Sequence, residues 1–116
     1  GCGGDRDPGK RHLMARIAEK LGNKIVVTND NPRTESEENI KNDIFQGFRK
    51  PEKATFIADR REAIDYALRK ANPGDAVLIA GKGHEDYQII GNEKFHLSDI
   101  EIAEEIIDEL TEGAMQ

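Results

Sequence analysis

The chain has no tryptophan, one cysteine, and aromatic residues at only 5% of its 116 positions. A lone Cys2 excludes an internal disulfide, so the fold rests on an apolar core, and a reducing cytoplasm is the simplest setting. Cys2 has no catalytic company in the sequence and reads as an inert structural thiol. No apolar run approaches the ~20 residues that a membrane-spanning helix needs, so no membrane insertion is expected. No signal-peptide pattern opens the chain. Positive charge is in deficit, with 17 Lys and Arg against 23 Asp and Glu, for a net charge of −6. Nucleic-acid binding wants clustered lysine and arginine, so no nucleic-acid partner is expected. Internal repeats and low-complexity linkers are also lacking.

What is present is enough chain to bury one core, arranged as short apolar runs that alternate with helical patterns. A helix is predicted over 11–21, with Leu13, Met14, Ile17, Ala18 and Leu21 facing inward. A strand over 24–28 follows. Thr34 or Ser36 starts a second helix, to about Phe48, which buries Ile40, Ile44, Phe45 and Phe48. A strand over 54–58 leads to Asp59, the N-cap of a third helix that carries Ala63, Ile64, Ala67, Leu68 and Ala71. The continuous apolar run Ala76–Ala80 is predicted to be a strand covered on both faces. Segments 87–90 and 94–97 form a hairpin around Gly91-Asn92. Ser98 with Glu101 caps a last helix that buries Ile102, Ala103, Ile106, Ile107 and Leu110.

Strands alternating with helices imply right-handed crossovers. The expected fold is α/β, a Rossmann-like three-layer sandwich whose mostly parallel sheet has an antiparallel edge hairpin. One domain over 1–110 and a frayed, disordered tail over 111–116 are expected. The opening Gly1-Cys2-Gly3-Gly4 reads as the loop after a strand. That predicts a fragment of a larger protein with one or more N-terminal strands missing.

Three polar loops carry the candidate chemistry. In the first, Gly4-x-x-x-x-Gly9-Lys10 nearly matches a phosphate-binding loop, but Arg11 stands where a magnesium-coordinating Ser or Thr is required. Asp5 and Asp7 would also repel phosphate. The loop is either a polar connection capped by Asp7 or a ligand contact made through Arg6 and Lys10. The second loop, Asp30-Asn31-Pro32-Arg33, is a proline-stiffened turn at the carboxyl end of a strand, where ligands bind in open α/β sheets. Arg33 there is either a solvated charge or a bidentate grip on a carboxylate; spacing favours neither. The third, Gly81-Lys82-Gly83-His84-Glu85, follows the most apolar strand, and its glycines permit close approach of backbone to ligand. Glu85 suits an ammonium group. His12, His84 and His96 have no metal-ligand spacing, so no metal site is expected. Cations at Arg6 and Arg33 with an anion at Glu85 suit a zwitterion, of which an amino acid is the simplest.

The segments 1–11, Asp30-Asn31-Pro32-Arg33 and Gly81-Lys82-Gly83-His84-Glu85-Asp86-Tyr87-Gln88 together resemble the C-terminal domain of the UDP-N-acetylmuramoyl-tripeptide synthetases of the Mur ligase family. The resemblance runs in order from residue 1 to about 110. It implies ATP-dependent amide formation in cytoplasmic peptidoglycan synthesis, with UDP-MurNAc-L-Ala-D-Glu as acceptor, an acyl phosphate intermediate and meso-2,6-diaminopimelate as nucleophile. It further implies that Asp30, Asn31, Pro32 and Arg33 recognise diaminopimelate, with contacts from Arg6, Gly81 and Glu85. By looser analogy Asp5 and Lys10 face ATP. ATP and Mg²⁺ are implied for the full-length enzyme, held mostly by a central domain outside this chain. No catalytic residue is therefore expected here, and the fragment alone is expected to be inactive. The runner-up is a stand-alone amino-acid-binding or regulatory module; a P-loop nucleotide hydrolase is disfavoured by Arg11.

Overall fold

The structure, a computed structural model, describes residues 1–82 and 84–115. Asp7 caps a 3-10 turn, Pro8–Lys10, by accepting the Gly9 N–H at 2.9 Å, and helix α1 (Arg11–Leu21) follows directly. Strand β1 (Ile25–Val27) pairs in parallel with β2 (Ala54–Phe56), with Val26 opposite Thr55. Between them lies α2 (Glu37–Phe45), whose cap is Ser36, accepting from the Asn39 N–H. Thr34, the other candidate cap, has its hydroxyl committed to Asp5 at 2.6 Å. Helix α3 (Arg60–Lys70) starts at Asp59, which accepts the Glu62 N–H, and α4 (Asp99–Met115) starts after Ser98, which accepts the Glu101 N–H. Strands β3 (Tyr87–Ile90) and β4 (Glu93–His96) form the antiparallel hairpin, and a single parallel bridge joins Ile90 to Arg33.

The result is a mixed α/β domain with two apolar clusters. Ala15, Val27, Ile40, Ile44 and Phe48 fill the space between β1, α1 and α2. Ile64, Ile102 and Ile106 fill that between α3 and α4, with Ile79 packed against them. Of the residues that helical spacing placed inside α2, α3 and α4, Ile40, Ile44, Ile64, Ile102 and Ile106 are buried.

Three expectations are corrected or modified. Ala76–Ala80 is not a strand: among the described residues its backbone joins no ladder, and Leu78 is 90% exposed. A continuous apolar run becomes a buried strand only between neighbours, and here β1 pairs with β2 alone. In α1 the apolar stripe faces outward, with Leu13, Met14, Ile17 and Leu21 all exposed. That helix instead turns Ala15 and Arg11 toward α2, drawn by the ion pair of Arg11 with Asp43 and by Glu19, whose carboxylate accepts the Arg49 and Lys50 N–H groups. Finally, Ile107 and Leu110, expected to be buried in α4, are 50% and 37% exposed, outside the cluster that Ile102 and Ile106 form against α3.

Two buried arginines tie the elements together. Arg60, 2% exposed, grips Asp99 with two bonds of 2.7 Å, linking the starts of α3 and α4. Its other protons reach the Asn29 and Ala80 carbonyls, so one guanidinium fixes the end of β1 and the end of the 76–80 segment. Arg11, 1% exposed, makes two bonds of 2.7 Å to Glu35 and one of 2.8 Å to Asp43, and also donates to the Gly3 carbonyl. The position that breaks the phosphate-loop pattern is therefore a structural anchor for the first two loops.

Breaking either pair leaves an uncompensated buried charge. Arg60→Ala is expected to lower unfolding free energy by about 3–5 kcal/mol, while Arg60→Met combined with Asp99→Leu recovers most of it, as read by urea denaturation. Glu35 offers a second check. Its bonds from Arg11 hold its pKa at about 2, against an ordinary 4.5. A carboxyl whose folded pKa is depressed contributes fully above its unfolded value and loses that contribution as pH falls through the folded one. Between pH 4.5 and about 2 the wild type is expected to lose stability more steeply than Glu35→Gln. Parallel stability curves over that range would contradict the pairing.

Candidate functional site

The turn after β1 is held by its neighbours rather than by its own bonds. The Thr28 hydroxyl and the Asn29 amide both donate to the Ala58 carbonyl, at 3.3 and 3.0 Å, which carries β1's alignment with the chain after β2 past the ladder. The Asp30 carbonyl accepts from Gln88 Nε2 at 2.7 Å. Asn31, 2% exposed, turns its Oδ1 to two donors, Lys82 Nζ and the Ile89 N–H, each at 3.0 Å. Pro32 is buried behind it. Arg33 then adopts a left-handed backbone at φ +54°, which non-glycine residues avoid. Its N–H donates to the Ile89 carbonyl at 3.0 Å, its carbonyl accepts from Gly91 at 2.6 Å, and Asp5 Oδ2 receives the following Thr34 N–H at 3.1 Å.

The first loop lies directly against this turn. The Gly4 N–H donates to the Asn31 carbonyl at 2.7 Å, and a β-carbon on Gly4 would come within 1.8 Å of the Pro32 oxygen, so only glycine fits. Arg33 Nη1 donates to the Gly4 and Asn31 carbonyls at 3.0 and 3.3 Å. Its Nη2 and Nε protons have no partner among the described residues. Gly3 has Arg33 on one side and Arg6 on the other, with Arg33 Nη1 3.0 Å and Arg6 Cγ 3.6 Å from where a β-carbon would stand. The Arg6 guanidinium itself donates to the Asp5 carbonyl at 3.3 Å. Asp5, also left-handed at φ +55°, spends its carboxylate on Thr34, and those bonds lower its pKa.

A cleft of about 210 Å³ opens beside them, with Gly3, Arg6, Lys10, Met14, Asp30 and Gly81 in its walls. Gly81 takes φ +118°, so a side chain there would strain the backbone. Arg6, Asp7 and Lys10 are exposed and Asp30 is 8% exposed, so the cleft has two cations and a carboxylate at its rim and a second carboxylate deeper in. Glu85 lies outside these walls. Its carboxylate accepts the Tyr87 hydroxyl at 2.8 Å, which raises the phenol's pKa. His84 is exposed, and burial raises the pKa of Cys2, keeping that thiol protonated. A larger hollow of about 390 Å³ runs along the outer face of α3, but its Arg61 and Arg69 are already paired with Glu105, Asp65 and Glu109.

Sequence reasoning missed Lys82 and Gln88. Lys82 has no exposed side-chain surface; besides Asn31 it donates to the Tyr87 carbonyl, and its Nζ stands 3.0 Å from Asp30 Oδ1. The only signal was its place between two glycines, where a buried lysine is not the usual reading.

The relatives of this chain can now be set beside that geometry. Residues 1–83 match the family described as Mur ligase, glutamate ligase domain. The chain is 56% identical over 109 residues to the UDP-N-acetylmuramoyl-L-alanyl-D-glutamate--2,6-diaminopimelate ligase of Haemophilus ducreyi, covering 94% of this chain and 22% of that protein. It is 59% identical over 103 residues to the enzyme of the same name from Haemophilus influenzae, with 89% and 21% covered. A solved structure of a ligase of that name superposes with a TM-score of 0.90 at 45% identity, over 96% of this chain and 23% of the other. The chain spans about a fifth of the length of these relatives. With the family's pattern covering residues 1–83 and the loops meeting as described, this chain belongs to the Mur ligase family, as its glutamate ligase domain.

Proposed function

We propose that this chain is the amino-acid-selecting domain of an ATP-dependent amide-forming ligase that adds meso-diaminopimelate to UDP-MurNAc-L-Ala-D-Glu. The observation that carries the reading is that Arg33 Nη1 and the Arg6 side chain both approach Gly3, which with Arg6 lines a cleft of amino-acid size. Diaminopimelate differs from lysine by one distal carboxylate, and two guanidinium groups are chemically suited to it. Lysine would leave them unpaired, and a site built around a polar partner rejects an analogue that lacks it. The names of the relatives agree with this choice.

On this reading Asp30, Asn31, Pro32 and Arg33 form the recognition turn, Arg6 shares the distal carboxylate, and the Gly81 carbonyl with Glu85 holds the distal ammonium. Glu85 reaches that ammonium only by sharing the carboxylate that now accepts from Tyr87. The amine at the other end of the ligand attacks the acyl phosphate of the D-glutamate carboxylate. ATP and Mg²⁺ are held mostly by the central domain of the full-length enzyme, in the cytoplasm. Lys10, at the cleft rim, meets an ATP phosphate; a ribose at Asp5 shares a carboxylate already bonded to Thr34.

In the complete ligase, Arg33→Ala is expected to lower kcat/KM for diaminopimelate by roughly 100-fold or more and to leave little preference over L-lysine. Unchanged discrimination would remove Arg33 from the site. The 116-residue chain alone, given ATP, Mg²⁺, the nucleotide dipeptide and diaminopimelate, is expected to form no tripeptide product; product detected by mass spectrometry would contradict the division of labour.

A further inference from the structure

A fully buried lysine beside a binding turn has to be explained, because an ammonium without exposure is costly unless several acceptors surround it. Lys82 has two acceptors and one ion-pair partner. Its Nζ donates to Asn31 Oδ1 at 3.0 Å and to the Tyr87 carbonyl, and stands 3.0 Å from Asp30 Oδ1 as an ion pair. The Tyr87 ring faces it at 5.7 Å. These contacts join the glycine loop, the recognition turn and the start of β3.

The consequence falls on Asn31. Its Oδ1 is met by an ammonium and by the Ile89 N–H, and both can only donate. The opposite amide orientation would press an NH₂ group against two donors, so the chemistry settles which end points inward. What Asn31 has left to offer is Nδ2, a donor. Arg33 is a donor by nature. Asp30, which would repel an anionic ligand, has its charge offset by the same ammonium.

We propose that Lys82 is a positioning residue for specificity: by holding the Asn31 amide with its oxygen inward and offsetting the charge of Asp30, it leaves the Asn31 and Arg33 donors to receive a carboxylate. The inference rests on the reading of this site as the one that selects the distal carboxylate of a diamino diacid. Without Lys82 the Asn31 amide is held by the Ile89 N–H alone, and Asp30 faces the ligand uncompensated, which disfavours the diacid and favours a lysine-like ammonium.

The test is steady-state kinetics of the complete ligase with diaminopimelate and with L-lysine, for wild type, Lys82→Met, Asn31→Asp and Arg33→Ala. Lys82→Met is expected to reduce the diaminopimelate-to-lysine ratio of kcat/KM by at least about 30-fold, the scale of a broken buried charge pair. The effect is expected in the KM for diaminopimelate, with the KM values for ATP and the nucleotide dipeptide held within about 3-fold of wild type, as a local binding defect requires. A merely structural lysine would lower stability and the active fraction, leaving the ratio untouched. An unchanged ratio in folded Lys82→Met, with the ratio lost in Arg33→Ala, overturns the role of Lys82 and leaves the site reading standing. An unchanged ratio in both overturns the site reading itself. If Lys82→Met does not fold, Asn31→Asp decides. It keeps the acceptor for Lys82 and Ile89 but replaces the donor with a charge, so a collapsed ratio supports the proposal and an intact one refutes it.

Discussion

A left-handed arginine costs about 1–3 kcal/mol in backbone strain and persists only where its surroundings impose it. Arg33 is imposed upon from both directions. The hairpin takes its N–H and its carbonyl through Ile89 and Gly91, and Asp5 takes the next N–H along the chain. The side chain is thereby delivered against the first loop, where Nη1 bonds to the Gly4 carbonyl. If the hairpin or Asp5 let go, the backbone would relax toward a negative φ and the arginine would leave the first loop.

That constraint explains the arrangement of the buried charges around it. Arg11 ties the first loop to Glu35, two residues beyond Arg33, and to α2. Arg60 ties the end of β1, just before the turn, to α3 and α4. Lys82 ties the turn's centre to the glycine loop and to β3. Each is a cation with little exposure and more than one partner. Burying such groups adds little to stability compared with an apolar core, but each fixes a geometry that apolar packing would leave free. Three loops with few bonds inside themselves are made rigid by arginines and a lysine reaching across them.

Much of this was legible in the sequence because caps and periodicity are local. Ser36, Asp59 and Ser98 started their helices as expected, and Ile40, Ile44, Ile64, Ile102 and Ile106 went inside, while Ile107 stayed exposed. The three polar loops were identifiable as loops, and side chains of two residues singled out, Arg6 and Arg33, both approach Gly3. What failed depended on neighbours. The 76–80 run is apolar enough for a buried strand, but pairing is decided by the edges available to it. The stripe on α1 has helical spacing, yet the direction it faces was set by Arg11 and Glu19, polar residues that a hydrophobic pattern does not weigh. Lys82 was missed for the same reason, since nothing local distinguishes a buried lysine from a solvated one.

The central claim is that the Asp30–Arg33 turn is a rigid donor surface, locked by Lys82, that receives the distal carboxylate of a diamino diacid. A crystal structure of the complete ligase with meso-diaminopimelate bound tests it most directly. The account predicts that carboxylate within hydrogen-bonding distance of the Arg33 guanidinium and Asn31 Nδ2, with Lys82 Nζ still on Asn31 Oδ1. A carboxylate seated elsewhere, or an Asn31 amide released from Lys82 to accept from the ligand, would contradict it.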